Sequence, residues 1–233
     1  MNYPKTLFGT QNAKTIKGEQ LGYTTFILYM SPHKQNSAGK NLCPNATPGC
    51  IAACLFTAGR GRFSNVAKAR MSKSEYFIHH RAEFMNQLAK EISKGVKKYG
   101  TDKICIRLNG TSDIPYENIP IGNFPNIMAM FPNVQFYDYT KVFSRLKKGL
   151  PSNYHLTFSR AETQKNQEES LQALSLGFNV AAVFNSLPQT YANAKVLDGD
   201  EHDLTFLRGN GIVLGLKAKG QAKKDTSGFV IFN

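Results

Sequence analysis

"KICIRLNGTSD", residues 103–113, combines the pattern of a buried strand with a polar turn. Alternate side chains of a strand point to opposite faces of its sheet. The alternation separates two sets: Ile104, Ile106 and Leu108 on one face, and Cys105, Arg107 and Asn109 on the other. The first set suits packing under helices, and the second would line the interior of a barrel. We therefore predict a strand that ends in a short polar turn.

Similar apolar runs lie on both sides of this strand. They are residues 23–30, 134–140, 154–159, 179–184, 211–217 and 228–232. Helical patterns lie between several of them: a capping box at Ser72 and Glu75 predicts a long helix to about Lys98, and another helix falls within 163–177. This alternation favours parallel pairing through right-handed crossovers. It predicts an α/β fold, a partial or closed β/α barrel of the TIM type, formed by residues 1–233 as one domain.

Composition narrows the class of protein. The chain has 233 residues, is 41% hydrophobic, and carries 29 Lys plus Arg against 16 Asp plus Glu, a net charge of +13. This excess of positive charge favours nucleic acid or a phosphorylated substrate as partner, with an ordinary basic surface as the alternative. No apolar run approaches the ~20 residues of a membrane span, and the first residues lack the apolar segment of a signal peptide. We expect a cytoplasmic protein with no membrane partner.

Three of the four cysteines lie in one loop after the first predicted strand. Cys43, Cys50 and Cys54 fall within "NLCPNATPGCIAACLFTAGRGRF", residues 41–63. Clustered cysteines in a cytoplasmic chain favour metal binding over disulfides. A loop shaped by proline and glycine can also direct backbone N–H groups at the sulfides of a cluster. We predict a [4Fe–4S] cluster held by these three residues, and structural zinc and reduced core thiols remain alternatives.

A fourth ligand is not fixed by the sequence. Cys105, His33 or an external molecule are the candidates. Cys105 lies well inside the predicted strand, below its C-terminal end, and free cysteine is among the most buried residue types. We expect Cys105 to be a packed interior residue, which leaves one iron of the cluster open.

Three further groups of polar residues are weaker candidates. Asp198, Asp200 and Asp203 suit a hard cation, with a polar turn as the alternative. Arg160 and Glu162 follow a predicted strand, where they would either reach a bound molecule or form an ion pair that caps the next helix. A basic rim at the barrel mouth would comprise Arg60, Arg62, Lys217, Lys219, Lys223 and Lys224.

The cysteine loop and the polar turn together resemble the radical S-adenosylmethionine (SAM) superfamily. In that family three cysteines after the first barrel strand hold a [4Fe–4S] cluster, SAM chelates the fourth iron, and a motif after the second strand holds the SAM amino group. The resemblance implies that Cys43, Cys50 and Cys54 bind the cluster and that the segment Asn109, Gly110, Thr111, Ser112 and Asp113 binds SAM. The spacing departs from the family: this loop is C-x6-C-x3-C, whereas the usual one is C-x3-C-x2-C.

The chain also resembles a second family, small bacteriophage proteins named after gene product eighty-eight of a mycobacteriophage. The stretches that carry this resemblance are "NLCPNATPGCIAACL", "AGRGRF", "LDGDEHD" and "GLKAKG". It implies that the protein, if phage-encoded, works in the host cytoplasm.

Two classes of function follow from these patterns. One is a radical-SAM-like enzyme that acts on a nucleotide or nucleic acid and needs an electron donor. The other is a non-catalytic iron–sulfur protein with a structural, redox-sensing or nucleic-acid-binding role, or a zinc-binding protein. Fold alone does not choose between them.

Overall fold

A computed structural model of the chain describes residues 3–10, 13–54 and 63–233. Its strands are β1 (Phe8–Gly9), β2 (Thr24–Leu28), β3 (Ile104–Arg107), β4 (Gln135–Thr140), β5 (Tyr154–Ser159), β6 (Val180–Phe184), β7 (Thr190–Tyr191), β8 (Ala194–Asp198), β9 (Val213–Lys217) and β10 (Val230–Ile231). Its helices are α1 (Ala13–Glu19), α2 (Pro48–Ala52), α3 (Ser64–His79), α4 (Arg81–Tyr99), α5 (Ile127–Met130), α6 (Phe143–Lys147) and α7 (Gln164–Ser175).

The described strands form one mixed sheet in the order β1-β2-β3-β4-β5-β6-β9-β8-β7, and β10 pairs with β6. Pairing is parallel for β2 with β3, β3 with β4, β5 with β6, and β6 with β9. The short edge strands pair antiparallel, β1 with β2 and β7 with β8. The predicted α/β class and parallel pairing are confirmed. Closure of the sheet into a TIM barrel is not confirmed. Among the described strands the sheet is open, with β1 and β7 at its edges.

By its internal contacts the chain divides into two compact units. The first unit comprises Met1–Pro44, Phe63–Asp138 and Leu150–His155. The second unit comprises Asn45–Arg62, Tyr139–Gly149 and Leu156–Asn233. The assignment of a single domain to residues 1–233 stays a prediction.

The first unit is built around the stripe of apolar residues on α4. Phe84, Leu88 and Ile92 recur every four residues and are all fully buried, as expected for one face of an amphipathic helix. Gly95 continues this face, and a side chain there would collide with the Phe26 ring at 2.7 Å. The helix ends at Gly100, whose φ of 89° is a left-handed conformation that glycine adopts without strain.

The predicted single helix from Ser72 is two helices, α3 and α4. The capping box at Ser72 is wrong, because α3 already begins at Ser64 and Ser72 lies in its interior. The chain leaves the helical conformation at His80, with φ −137° and ψ 55°. At this point the ring of Tyr3 stacks on Tyr76 at 4.3 Å and meets His80 edge-on at 4.9 Å. These contacts join segments that are distant in the sequence, so the helical period of residues 72–98 gives no sign of the break.

The second unit has two apolar clusters. Ala182 and Phe184 of β6 pack with Val213 of β9. A second cluster joins Ala161, Ala222, Phe229 and Val230, and Cys50 packs against it. Residues of β6 and β9 are buried along most of their length, as is typical of parallel strands that are covered on both faces.

Candidate functional site

Asn109 shapes the polar turn that follows β3. Its side chain is almost fully buried, at 2% exposure. The Oδ1 atom accepts hydrogen bonds from the Ser112 hydroxyl at 2.9 Å and from the Ile114 N–H at 2.8 Å. The Nδ2 atom donates to the Ile114 carbonyl at 3.0 Å and to Asp138 at 3.2 Å. These four bonds use the whole capacity of the amide, so Asn109 acts on the turn itself.

Asp138 of β4 anchors this turn from below. Its carboxylate is fully buried. It accepts hydrogen bonds from the Asn109 N–H at 2.8 Å, from Asn109 Nδ2 at 3.2 Å and from the Tyr154 hydroxyl at 2.9 Å. Burial raises the pKa of the nearby Tyr116 hydroxyl, and the charge of Asp138 raises it further. Sequence reasoning missed Asp138. The available signal was an acidic residue inside an apolar strand, because acidic side chains are rarely buried unless they are paired.

Cys43 lies against the same turn in the first unit. Its thiol donates to the Thr111 carbonyl at 3.6 Å, and the His33 N–H donates to its sulfur at 3.3 Å. The Asp113 N–H also donates to the carbonyl of Leu42, at 2.8 Å. The structure therefore brings together the first predicted cluster ligand and the predicted SAM segment. The backbone N–H aimed at the sulfur is a contact that stabilises a thiolate.

Cys50 and Cys54 belong to the second unit. Cys50 lies in α2, whose first turn begins after Thr47 and contains Pro48. Cys54 follows the end of this helix, and its N–H bonds the Ile51 carbonyl at 3.3 Å. Cys50 therefore lies within the helix Pro48–Ala52, and Cys54 lies beyond its end.

Glu162 holds the beginning of α2 in place. One carboxylate oxygen accepts from the Thr47 hydroxyl at 2.7 Å, and the other accepts from the Gly49 N–H at 2.8 Å. A side chain at Gly49 would meet this carboxylate at 2.8 Å. Glu162 thus serves the cysteine helix and not the next helix, α7, whose first turn is capped by Thr163.

The described residues contain no group of three or more His, Cys, Asp or Glu side chains placed to hold a metal ion. Cys43 belongs to the first unit, whereas Cys50 and Cys54 belong to the second. Cys105 is fully buried in β3, with its sulfur 3.3 Å from the Thr25 hydroxyl. The cluster with three cysteine ligands therefore stays a prediction.

Two of the three aspartates at the end of β8 and after it pair with lysines. Asp198 pairs with Lys217 at 3.1 Å, and Asp200 pairs with Lys219 at 2.6 Å. Asp203 is buried and lies 3.4 Å from the Tyr139 hydroxyl. These contacts are typical of a polar turn. Lys217 and Lys219, two members of the predicted basic rim, are paired with carboxylates here. Arg60 and Arg62 of that rim lie outside the described residues.

Sequence reasoning also missed His155, which lies on β5. Its Nε2 atom is buried and has no hydrogen-bond partner among the residues that the structure describes. Burial lowers the pKa of this imidazole from its ordinary 6.5. The folded protein therefore holds His155 neutral at a pH where the unfolded chain already binds a proton.

We expect the unfolding free energy to decline as pH falls below 6.5, because the unfolded chain then binds the proton that folded His155 resists. His155→Gln removes this part of the pH dependence. Urea unfolding between about pH 7 and about pH 5 measures it, the range in which histidine titrates. His79→Gln, at the exposed end of α3, is the matched control. An equal decline in wild type and His155→Gln would contradict the assignment.

Comparison with known proteins places the chain in one family. No helix of the described residues has the length and apolar character needed to cross a membrane. Neither the comparison with curated proteins nor that with solved structures gave a match. A family model described as Gene product 88 matches residues 6–233, nearly the whole chain. The chain therefore belongs to the Gene product 88 (GP88) family.

Proposed function

We propose that this protein binds a [4Fe–4S] cluster through Cys43, Cys50 and Cys54. The observation that carries the proposal is the environment of Cys43, whose sulfur receives the His33 N–H and lies against Thr111. Hydrogen bonds from backbone N–H groups to sulfur are one of the means by which proteins tune iron–sulfur clusters. The cluster, when bound, supplies one-electron chemistry.

A site with three cysteine ligands suits a [4Fe–4S] cluster better than it suits a structural zinc ion. A closed zinc site normally takes four protein ligands. The fourth cysteine, Cys105, is buried in β3 and contacts Thr25, so it is poorly placed to serve. An iron–sulfur cluster with three protein ligands keeps one iron open to another molecule.

The binding site would be assembled by the cluster itself. Among the described residues no three ligands are already grouped, and metal binding often completes a site that the free protein lacks. Glu162 contributes by holding α2, and with it Cys50, in one orientation. The Asn109 side chain contributes by fixing the turn against which Cys43 lies.

We further propose SAM as the ligand of the open iron, with the segment from Asn109 to Asp113 as its binding segment. Since the Asn109 amide is fully used within the turn, backbone groups are the better contacts. The Thr111 carbonyl, next to Cys43, is an acceptor for an amino group. An enzyme of this kind requires an electron donor, and the charge of +13 favours a nucleotide, a nucleic acid or another phosphorylated substrate in the cytoplasm.

Anaerobic purification tests the proposal directly. The protein should be brown and should contain about four irons with matching labile sulfide per chain, the content of one [4Fe–4S] cluster. Changing Cys43, Cys50 or Cys54 to Ser should each abolish the iron content and lower the unfolding midpoint of the iron-loaded protein, because bound metal adds its binding free energy to folding. Iron and sulfide assays, the visible spectrum and thermal unfolding measure these effects.

Cys105→Ser is the matched control, since it removes the remaining cysteine of the chain. It should keep its iron. If it loses its iron as the other three do, Cys105 is the fourth ligand and SAM cannot chelate the open iron. Stoichiometric zinc without sulfide would refute the iron–sulfur proposal in favour of a zinc protein. Iron-loaded protein that shows no heat on titration with SAM would leave the non-catalytic iron–sulfur function.

A further inference from the structure

Arg160 lies directly after β5 and is held rigidly by the backbone of a distant segment. Its side chain is 93% buried, given a relative exposure of 7%. The Nη1 atom donates to the carbonyl of Gly228 and to that of Phe229, the latter at 3.0 Å. Two carbonyl acceptors on one nitrogen fix the plane of the guanidinium.

The opposite edge of this guanidinium carries a donor that no described residue satisfies. The Nε atom of Arg160 is buried and has no hydrogen-bond partner among the described residues. Arg160 also forms no ion pair with a carboxylate of the described part of the chain. A buried cation without a counter-charge is costly, and so is a buried N–H without an acceptor. The edge formed by Nε and Nη2 has the fork geometry that binds a carboxylate or phosphate through two parallel hydrogen bonds.

A second buried cation lies at the same place in the second unit. Lys141 directly follows β4, the neighbour of β5 in the sheet, and is 9% exposed. Its ammonium group donates to the hydroxyl of Ser159 at 2.5 Å, the residue before Arg160. It also lies 5.6 Å from the centre of the ring of Phe229, the residue whose backbone carbonyl accepts a hydrogen bond from Arg160. The two cations therefore share their neighbours.

The nearest acidic residue in sequence does not satisfy the Nε donor of Arg160. Both oxygens of Glu162 are bonded to the start of α2, through the hydroxyl of Thr47 and the N–H of Gly49. Although Glu162 is only two residues beyond Arg160, its carboxylate binds the start of α2 and not the guanidinium.

We infer that the Nε and Nη2 edge of Arg160 binds an oxyanion, a phosphate or carboxylate group of a small molecule, with Lys141 adding positive charge. The site lies at the C-terminal ends of β4 and β5, the position at which parallel sheets hold ligands. Because the guanidinium is buried, the anion must be a small group that enters the site. This inference names the anionic group of the partner. It rests on the proposed function only for the expectation of a phosphorylated substrate, and the site itself needs no cluster.

Calorimetric titration of metal-free protein with inorganic phosphate and with acetate tests the site. Wild type should bind at least one of them, and Arg160→Lys, which keeps the charge but loses the fork, should bind about tenfold more weakly or worse. Arg208→Lys is the matched control. The Nε atom of Arg208 also lacks a partner among the described residues, but its Nη1 atom pairs with Glu201 at 2.9 Å and its Nη2 atom donates to the Asp198 carbonyl at 3.1 Å, so its fork is already occupied. Its affinity should equal that of wild type.

A measurement on the unmodified protein guards against a variant that fails to fold. In a 1H–15N spectrum of wild type, the Nε–H resonance of Arg160 should move during the same titration. Binding of phosphate alone identifies a phosphoryl group, and binding of acetate alone identifies a carboxylate. No binding of either anion, a stationary Arg160 resonance, or equal affinities of wild type and Arg160→Lys would overturn the inference. The two experiments can fail separately. If the protein binds an anion but contains no iron after anaerobic purification, only the iron–sulfur proposal is refuted. If it contains iron but binds neither anion, only the anion site is refuted.

Discussion

Asp138→Ala should lower the free energy of unfolding by about 3 kcal/mol or more, since each buried donor left without its acceptor costs about 1–3 kcal/mol. At least three donors of the described residues depend on this carboxylate: the N–H and Nδ2 of Asn109 and the hydroxyl of Tyr154. The position is fully buried, so water does not readily replace the lost acceptor. Urea unfolding followed by circular dichroism measures the change.

The control for this substitution is Asp102→Ala, which removes an exposed carboxylate from the same unit. Its expected effect is within about 0.5 kcal/mol of zero, as for most surface changes. Asp138→Asn should be intermediate, because the amide keeps one acceptor but turns a donor toward other donors. A loss in Asp138→Ala no larger than that in Asp102→Ala would show that the network does not support the fold.

Gly110→Ala should cost about 1–3 kcal/mol of stability, the range for overpacking a filled site. The added methyl group would lie 2.8 Å from the Leu28 carbonyl and 2.7 Å from side-chain atoms of both Ile27 and Tyr29. The carbonyl belongs to the backbone of β2 and cannot rotate away. The turn would have to lift, and with it the Thr111 carbonyl that Cys43 contacts. We therefore also expect the variant to retain less iron.

Gly9→Ala is the matched control, in the edge strand β1 that also pairs with β2. A methyl group there would find its nearest neighbours at 3.9 and 4.0 Å, an ordinary contact. Its unfolding midpoint and iron content should stay close to those of wild type. Equal effects of the two substitutions would mean that the close approach of Gly110 to β2 is not what places the turn.

Strong periodic patterns predicted the central elements of the fold. The strand expected at residues 154–159 is β5, with the same bounds, and the strand expected within residues 103–113 is β3, Ile104–Arg107. Their alternating and apolar residues are buried in a parallel sheet, where pattern and environment agree. The edge strands β1 and β7 were not predicted, because each is two residues long and too short to show a period.

Closure of the sheet was not predictable from these patterns. A parallel strand has the same sequence character in an open sheet as in a barrel, because in both cases its two faces are covered. The interruption of the long helix at His80 was equally hidden, since it coincides with contacts made by Tyr3. Both features depend on partners that are remote along the chain.

Part of the candidate site followed from topology alone. The ends of neighbouring parallel strands meet at one edge of a sheet, which explains why Cys43, after β2, lies beside Thr111, after β3. The supporting roles of Asp138 and Glu162 did not follow. A sequence shows that a carboxylate is present, but not which backbone N–H groups it accepts from.

The division of the chain into two units has a consequence for how it folds. Each unit is assembled from three separate segments, so no single cut in the chain releases either of them as one continuous piece. Bonds within the units join residues far apart in the sequence: Gly49 to Glu162 spans 113 positions, and Arg160 to Phe229 spans 69. Contacts of such long range require large loops to close first, which slows folding. The chain should therefore reach its native state late, after nearly all of it has been synthesised.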